Sequence, residues 1–385
     1  MDDVIYLDHN ATTPCDPRVV EAMLPYFTEK AANPTSRSHR PGLEASVALE
    51  EARSAVVRAI GGRSASEIVL TASATEANNL ALFGAAAALS DRGTHIISQR
   101  TEHASVLGPL RELERRGWEV SLIGVDGDGR IRLDELEGAL RDDTVLVSLM
   151  LANNETGVVQ PVVEAAESAR SRGALVHCDA VQGLGKIPVE VGRFGVDLLS
   201  LSAHKCYGPK GVGALWVRHS NPPIRLGAQI LGGGQESGLR SGTPNVPGAV
   251  GFARAVELTA DDDAVGTAAL RDRLEAAILG GLDDVSVNGG GAPRLPNTTN
   301  LAFAGVEASA LLVSLPDVAA ATGSACTSSQ PEPSTVLQTM GLPRKLAAGS
   351  LRLSLGRFTT EEEIDRAAAR IVEEVARLRA LPRRL

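Results

Sequence analysis

The sequence predicts an α/β fold, with a large domain built on a mostly parallel seven-stranded sheet and a smaller α+β domain. Three observations carry that expectation. Between about residues 66 and 220, short apolar runs of β type alternate with helical stretches. Strands apolar on both faces with helical crossovers imply a parallel sheet covered on both sides. After about residue 250 the texture changes to helices followed by short strands, the order of an α+β unit. The length, 385 residues, allows about two or three domains. The expected division is 15–255 for the large domain, and 1–14 with 256–385 for the small one.

The elements follow in order. EIVLTA (67–72), THIISQ (94–99), EVSLIGV (119–125), TVLVSLML (144–151), ALVHCDA (174–180), VDLLSLSA (196–203) and GALWVR (213–218) read as strands, bounded by turn-forming residues. The segments 75–90, 104–117 and 161–172 between them read as helices. Further on, 247–260 and 267–282 read as helices, and strands are expected near 298–304 and 350–355. A last helix opens at TTEEE, where Thr360 and Glu363 fit a capping box. Two stretches, 226–247 and 319–335, are rich in Gly, Ser or Pro and read as long loops, which are often functional.

Composition excludes several classes. Aromatic residues are 3%, too few for single-strand nucleic-acid binding by base stacking. The net charge of -9 repels phosphate backbones and anionic lipid, so direct nucleic-acid contact is not expected. Cys15, Cys178, Cys206 and Cys326 form no C-x-x-C pair, which disfavours a zinc ribbon, a cluster ligand set or a disulfide framework. No metal site is expected. The start MDDVIYLDHN is acidic where a signal peptide is basic, and LALFGAAAAL (80–89), among the longest apolar runs, is too short to span a bilayer. A soluble, cytoplasmic protein is expected.

Three constellations sit at strand ends. In TASATEANN (71–79) a strand runs through a small-residue turn into a helix. Exposed N–H groups, the helix dipole and the hydroxyls of Ser73 and Thr75 suit an anion, and an ordinary Ser/Thr N-cap is the competing reading. HCDAVQ (177–182) puts His177 and Asp179 on one face of a strand and Cys178 on the other. Asp179 at a buried strand tip needs a partner, for which a pyridinium nitrogen and a helix cap are alternatives. In SLSAHKCYGPKG (200–211), Lys205 lies between apolar and Gly-rich sequence, where an amine suits Schiff-base chemistry; a surface lysine is the bland reading. Together these three make a phosphate cradle, an acid and a lysine, the set that pyridoxal phosphate asks for. The G-x-G-x-x-G of a nicotinamide enzyme is missing after the first strand of the sheet.

With these segments in hand, the sequence resembles a cysteine desulfurase of the NifS/IscS type, among the fold-type-I pyridoxal-phosphate enzymes of aminotransferase class V. The likeness runs from YLDHNATTP (6–14) to LRLSLGRFTTEEEID (351–365), through NPTSRSHRPG (33–42), TEHASV (101–106), NNETGVVQP (153–161), LRSGTPNV (239–246) and ATGSACTSSQPEPS (321–334). The resemblance implies that Lys205 carries the cofactor, Asp179 keeps its ring nitrogen protonated, and His103 stacks on the ring and moves protons on and off the substrate sulfur. Gln182 then bonds the phenolic oxygen. Ala74, Thr75, Ser202 and His204 bind the phosphate, with Thr243 joining from a second subunit of a homodimer. Asn33, Asn154 and Arg352 hold the substrate carboxylate, Arg352 as a bidentate pair. Cys326, on a flexible loop, takes the sulfur as a persulfide, since a reactive thiol needs access and thiolate character. Cys15, Cys178 and Cys206 are read as structural or incidental.

Two positions depart from the family: Ser73 and Ala203 stand where glycine is common. The implied substrate is L-cysteine, and the implied partner a protein sulfur acceptor. That acceptor would serve iron–sulfur assembly, tRNA or cofactor thiolation, or DNA phosphorothioation. Competing readings are a selenocysteine lyase, another β-eliminating enzyme of this fold, or a non-catalytic sulfur-transfer scaffold.

Overall fold

The computed structural model describes residues 4–322 and 333–381. The chain opens on a short strand, β1 (Ile5–Tyr6), and then builds its main sheet from β2 (Ile68–Thr71), β3 (His95–Gln99), β4 (Glu119–Ile123), β5 (Thr144–Met150), β6 (Leu175–Asp179), β7 (Leu198–Ser202) and β8 (Gly213–Val217). All seven expected strands of the α/β region are present. Their spatial order is β2-β8-β7-β6-β5-β3-β4. β3, β4, β5, β6 and β7 run parallel, and β8 is antiparallel to both β7 and β2.

Every residue of β2, β3, β5 and β7 is buried, as expected of strands covered on both faces. β4, at the sheet edge, is the partly exposed exception. Helices Ala74–Leu89, Ala104–Arg115 and Val162–Ser171 fill the expected crossovers. Helix Arg40–Ala59, which the sequence pattern does not announce, packs against helix Val246–Leu258.

Beyond the sheet, β9 (Val285–Val287), β10 (Thr298–Phe303) and β12 (Ser350–Ser354) form an antiparallel three-stranded sheet, and β11 (Val318–Ala319) pairs in parallel with β1. Helices Ala264–Gly281 and Glu361–Ala380 pack together beside it. The second of these opens with the Thr360–Glu363 capping box. A second apolar core gathers here, with Ile5 and Leu7 packed among Leu274, Phe303, Leu351 and Ile371. Val336, Leu337 and Met340, although late in the chain, belong to the core of the main sheet. Among the described residues, no helix is long and apolar enough to cross a membrane.

The register at one end of the main sheet positions the site. Gly213 pairs with Thr71 on β2 and with Ser202 on β7. A Cβ on Gly213 would lie 2.7 Å from the Leu201 carbonyl oxygen and 2.7 Å from the Ser73 carbonyl carbon. Only glycine lets the β2 turn approach this closely, so it brings two strand ends to one place.

Candidate active site

The carboxyl ends of β2, β3, β5, β6 and β7 open into a cavity of about 520 Å³, where open α/β sheets hold their ligands. Ten of the sequence-derived residues line it: Ala74, Thr75, His103, Asn154, Asp179, Gln182, Ser202, His204, Lys205 and Arg352.

After β2, Ser73 is the N-cap of helix Ala74–Leu89 and its Oγ accepts from the Glu76 N–H at 3.2 Å. The competing cap reading is therefore correct for Ser73, whose hydroxyl closes the helix. Its backbone is extended, with φ -172° and ψ 167°, so a serine stands there without strain. Ala74 and Thr75 open the helix at the cavity wall. Nearby, the Ser202 Oγ is buried and unpartnered among the described residues.

Asp179 ends β6. Its Oδ2 accepts from Asn78 Nδ2 at 2.8 Å and its Oδ1 from the Val181 N–H at 3.1 Å. Asn78 Nδ2 also donates to Ser105 Oγ at 2.9 Å, and Ser105 Oγ lies 2.8 Å from His103 Nδ1. Burial pushes the His103 pKa down, Asp179 pulls it up and Lys205 opposes it. Glu102, fully enclosed, accepts from the Met150 N–H at 2.5 Å. Burial, and then Asp179, raise its pKa well above the carboxylate range.

Lys205 follows β7, and its Nζ donates to the carbonyls of Asn10 at 2.5 Å and Ala11 at 2.8 Å. Gln182 Nε2 donates to the Asn10 carbonyl at 3.0 Å, while its Oε1 accepts from Lys186 Nζ at 2.7 Å. His204 Nδ1 lies 3.1 Å from Thr12 Oγ1, and burial brings its pKa down to about 4, helped by Lys205 and Lys210. From β12, Arg352 reaches across to donate to Asp8 Oδ1 at 2.6 Å and to the Asn154 carbonyl at 3.0 Å. Its Nε is buried without a partner among the described residues.

The sequence matches the family Aminotransferase class-V over residues 5–367. It is 52% identical over 380 residues to Cysteine desulfurase IscS of Anaeromyxobacter sp. (strain Fw109-5), covering 98% of this chain and 94% of the relative. The chain belongs to the class-V aminotransferase family, among its cysteine desulfurases. A solved NifS-like protein superposes with a TM-score of 0.88 at 38% identity, covering 97% of this chain and 99% of that one. SspA in complex with cysteine superposes at 0.82 with 34% identity, over 92% and 99% of the two chains.

Membership in this family implies pyridoxal phosphate, and the residues of this cysteine desulfurase fit it. An unpartnered buried hydroxyl at Ser202 and a helix N-terminus at Ala74 suit a phosphate. The buried acid Asp179 and the amine Lys205 stand on the same cavity.

Three of the sequence-derived residues are elsewhere. Asn33 is exposed beside a turn, where its Oδ1 accepts from the N–H and hydroxyl of Thr35. Thr243 is exposed and does not line the cavity. Cys326 falls outside the described residues. Of the other three cysteines, Cys178 and Cys206 are buried, which pushes the Cys178 thiol pKa far upward and that of Cys206 to about 12, while Cys15 is half-buried with its thiol also raised by burial. Sequence reasoning missed Asn10, Asn78, Glu102, Ser105 and Lys186. Four of them lie inside segments already singled out, YLDHNATTP, TASATEANN and TEHASV. Only the fold shows that they bond to the site.

Proposed function

We propose that the enzyme converts L-cysteine to L-alanine and that Cys326 takes the sulfur as a persulfide for a protein acceptor. The observation that carries this reading is the convergence of Lys205, Asp179, His103, Ser202 and Arg352 on one cavity. The described flanks of the segment that holds Cys326 also stand beside the cavity. Ala321 pairs with Arg352 on β12, and Pro333, Thr335 and Val336 line the cavity. Cys326 is four residues from Thr322, a reach of at most about 14 Å.

Pyridoxal phosphate, when bound, supplies an electron sink for the Cα–H and Cβ–S bonds. Lys205 Nζ would carry the group and take the α-proton of the substrate. Asp179 would keep the ring nitrogen protonated, Gln182 would donate to the phenolic oxygen, and Thr75, Ser202 and His204 would hold the phosphate with the Ala74 helix turn. Arg352 and Asn154 would bind the substrate carboxylate at the cavity wall. The Cys326 thiolate attacks the substrate sulfur, the Cβ–S electron pair stays with carbon, and proton uptake there completes alanine. Atoms balance without an outside oxidant: cysteine and a thiol become alanine and a persulfide.

A homodimer in the cytoplasm completes the proposal, with Thr243 entering the partner's phosphate site. Helices Pro17–Met23 and Arg40–Ala59 pack on helix Val246–Leu258 and, with the turn Leu24–Phe27 that follows the first, leave Val20, Leu24, Phe27, Leu43 and Val47 exposed, an apolar surface that a second copy would cover. The domain division at 15–255 against 1–14 and 256–385 is proposed on the two cores described above.

The test is colour and product together. The purified protein is expected to be yellow and to bleach with borohydride, and Lys205→Ala to abolish the bleaching. Cys326→Ala is expected to stay yellow and bind L-cysteine while losing alanine formation. Retained alanine formation in Cys326→Ala would contradict the assignment.

A further inference from the structure

His103 is the N-cap of helix Ala104–Arg115, and its Nδ1 faces two donors. The backbone N–H of Ser105 points to it at 3.1 Å, and Ser105 Oγ lies 2.8 Å away. A backbone N–H only donates, so Nδ1 must offer its lone pair there. The direction of the hydroxyl follows from the far end of the same chain of bonds. Asp179 is a strand-end carboxylate and only accepts, so the Asn78 amide must turn its nitrogen towards Oδ2 at 2.8 Å. That same nitrogen donates to Ser105 Oγ at 2.9 Å. Ser105 therefore accepts from Asn78 and sends its own proton to His103 Nδ1.

We propose that Ser105 and Asn78 are positioning residues that hold His103 as the neutral tautomer protonated on Nε2, so that it presents a hydrogen-bond donor to the cavity. The inference rests on the desulfurase reading and narrows the part played by His103. Held in this way, the ring donates from Nε2 to an anionic atom above the strand ends, such as a substrate thiolate or carboxylate. In this resting tautomer the ring's lone pair is turned onto Ser105, away from that atom. Adding a proton at Nδ1 would set it against the fixed Ser105 N–H. Burial resists the imidazolium in the same sense. Two charged groups act on the ring from neighbouring elements, Asp179 at the end of β6 and Lys205 after β7, with opposite signs. The coupling also ties His103 to Asp179, since one amide holds both the carboxylate and the serine.

The test reads the ring itself and needs no turnover. Long-range proton–nitrogen NMR of the protein as isolated, labelled on histidine, resolves the two nitrogens of each ring, and His103→Gln assigns the signal. The expected result is Nδ1 at the unprotonated position and Nε2 at the protonated one from pH 8 down to about the pKa. Ser105→Ala should raise that pKa by about half a unit to one unit, the loss of one hydrogen bond to the neutral form. Ser105→Thr, which keeps the hydroxyl, should return it. A wild-type ring protonated mainly on Nδ1, or a Ser105→Ala titration identical to wild type, would overturn the proposal. Either outcome is independent of alanine formation, so failure of the desulfurase reading shows separately.

Discussion

Burial shifts the titration of the histidines and acids in and beside this site, lowering His103 and His204 and raising Glu102 and Glu155. His177, enclosed on β6, sits between the Ser148 and Ser200 hydroxyls, each 2.9 Å from a ring nitrogen. Its pKa is pushed down to about 4 by burial, against an ordinary 6.5. The unfolded chain therefore binds this proton first as the pH falls. The contribution to stability is whole above about pH 7, is lost between 6.5 and 4, and is level below. By pH 5 the loss from this group is about 2 kcal/mol. Urea unfolding at pH 7 and pH 5 should show it, and His177→Gln should remove that part of the difference. Equal differences in the two proteins would contradict the account. Arg352 offers a second residue-scale prediction. Replacing its fork by the single ammonium of Arg352→Lys should lower kcat/KM for L-cysteine about tenfold to a hundredfold, mainly through KM. Steady-state kinetics with alanine detection would check it. At this scale the sequence was most readable where a residue type is chemically rare in its setting. Lys205 and Asp179 at strand tips could be argued from burial alone. Asn78 and Ser105 could not, because an Asn on a helix and a Ser in its first turn are ordinary until the fold brings them to Asp179 and His103.

Helix Thr335–Thr339, which follows the segment that holds Cys326, shows how an element serves the site. Ser334 caps helix Thr335–Thr339, its Oγ accepting from the Leu337 N–H at 3.1 Å and donating to Glu155 Oε2 at 2.5 Å. Burial raises the Glu155 pKa and the serine bond opposes the rise. This buried pair fastens the C-terminal flank of the segment that holds Cys326. Ser334→Ala should therefore slow alanine formation by about tenfold, the worth of one hydrogen bond to a charged group, while leaving borohydride bleaching at Lys205 intact. Loss of bleaching together with turnover would show that the anchor serves the cofactor site instead. Periodicity found the seven strands of the main sheet because their apolar runs are short, continuous and bounded by turns. It missed helix Arg40–Ala59, whose buried face is largely alanine, with Ala45, Ala48, Ala52 and Ala55 against Leu49 and Val56. An alanine stripe gives little contrast with the exposed side. β9, β11 and helix Thr335–Thr339 are short and receive their definition from neighbours.

Across the whole molecule, residues of both sheets meet at the cavity. β12 and its Arg352 belong to the second sheet, while the strand-end ligands belong to the first. Both must be in place for the site to be complete. The exposed apolar set on helices Pro17–Met23 and Arg40–Ala59 and the turn Leu24–Phe27 is the surface that the proposed dimer would cover. Sedimentation should give two chains, and Leu24→Asp with Phe27→Asp should shift the protein towards one chain and weaken retention of the cofactor if Thr243 crosses the interface. An unshifted monomer in the wild type would contradict the dimer. The four cysteines entered as evidence against disulfides and metal clusters. Cys178 and Cys206 now have a physical reason to be inert, since both are buried and burial raises each thiol. The proposed sulfur chemistry therefore falls to Cys326, four residues beyond Thr322 in the chain. The most direct measurement is peptide mass spectrometry after a single turnover with L-cysteine in the absence of reductant. The account predicts that the peptide containing Cys326 gains one sulfur atom, in proportion to alanine formed. Alanine formed with that sulfur on another cysteine, or with none on the protein, would contradict it.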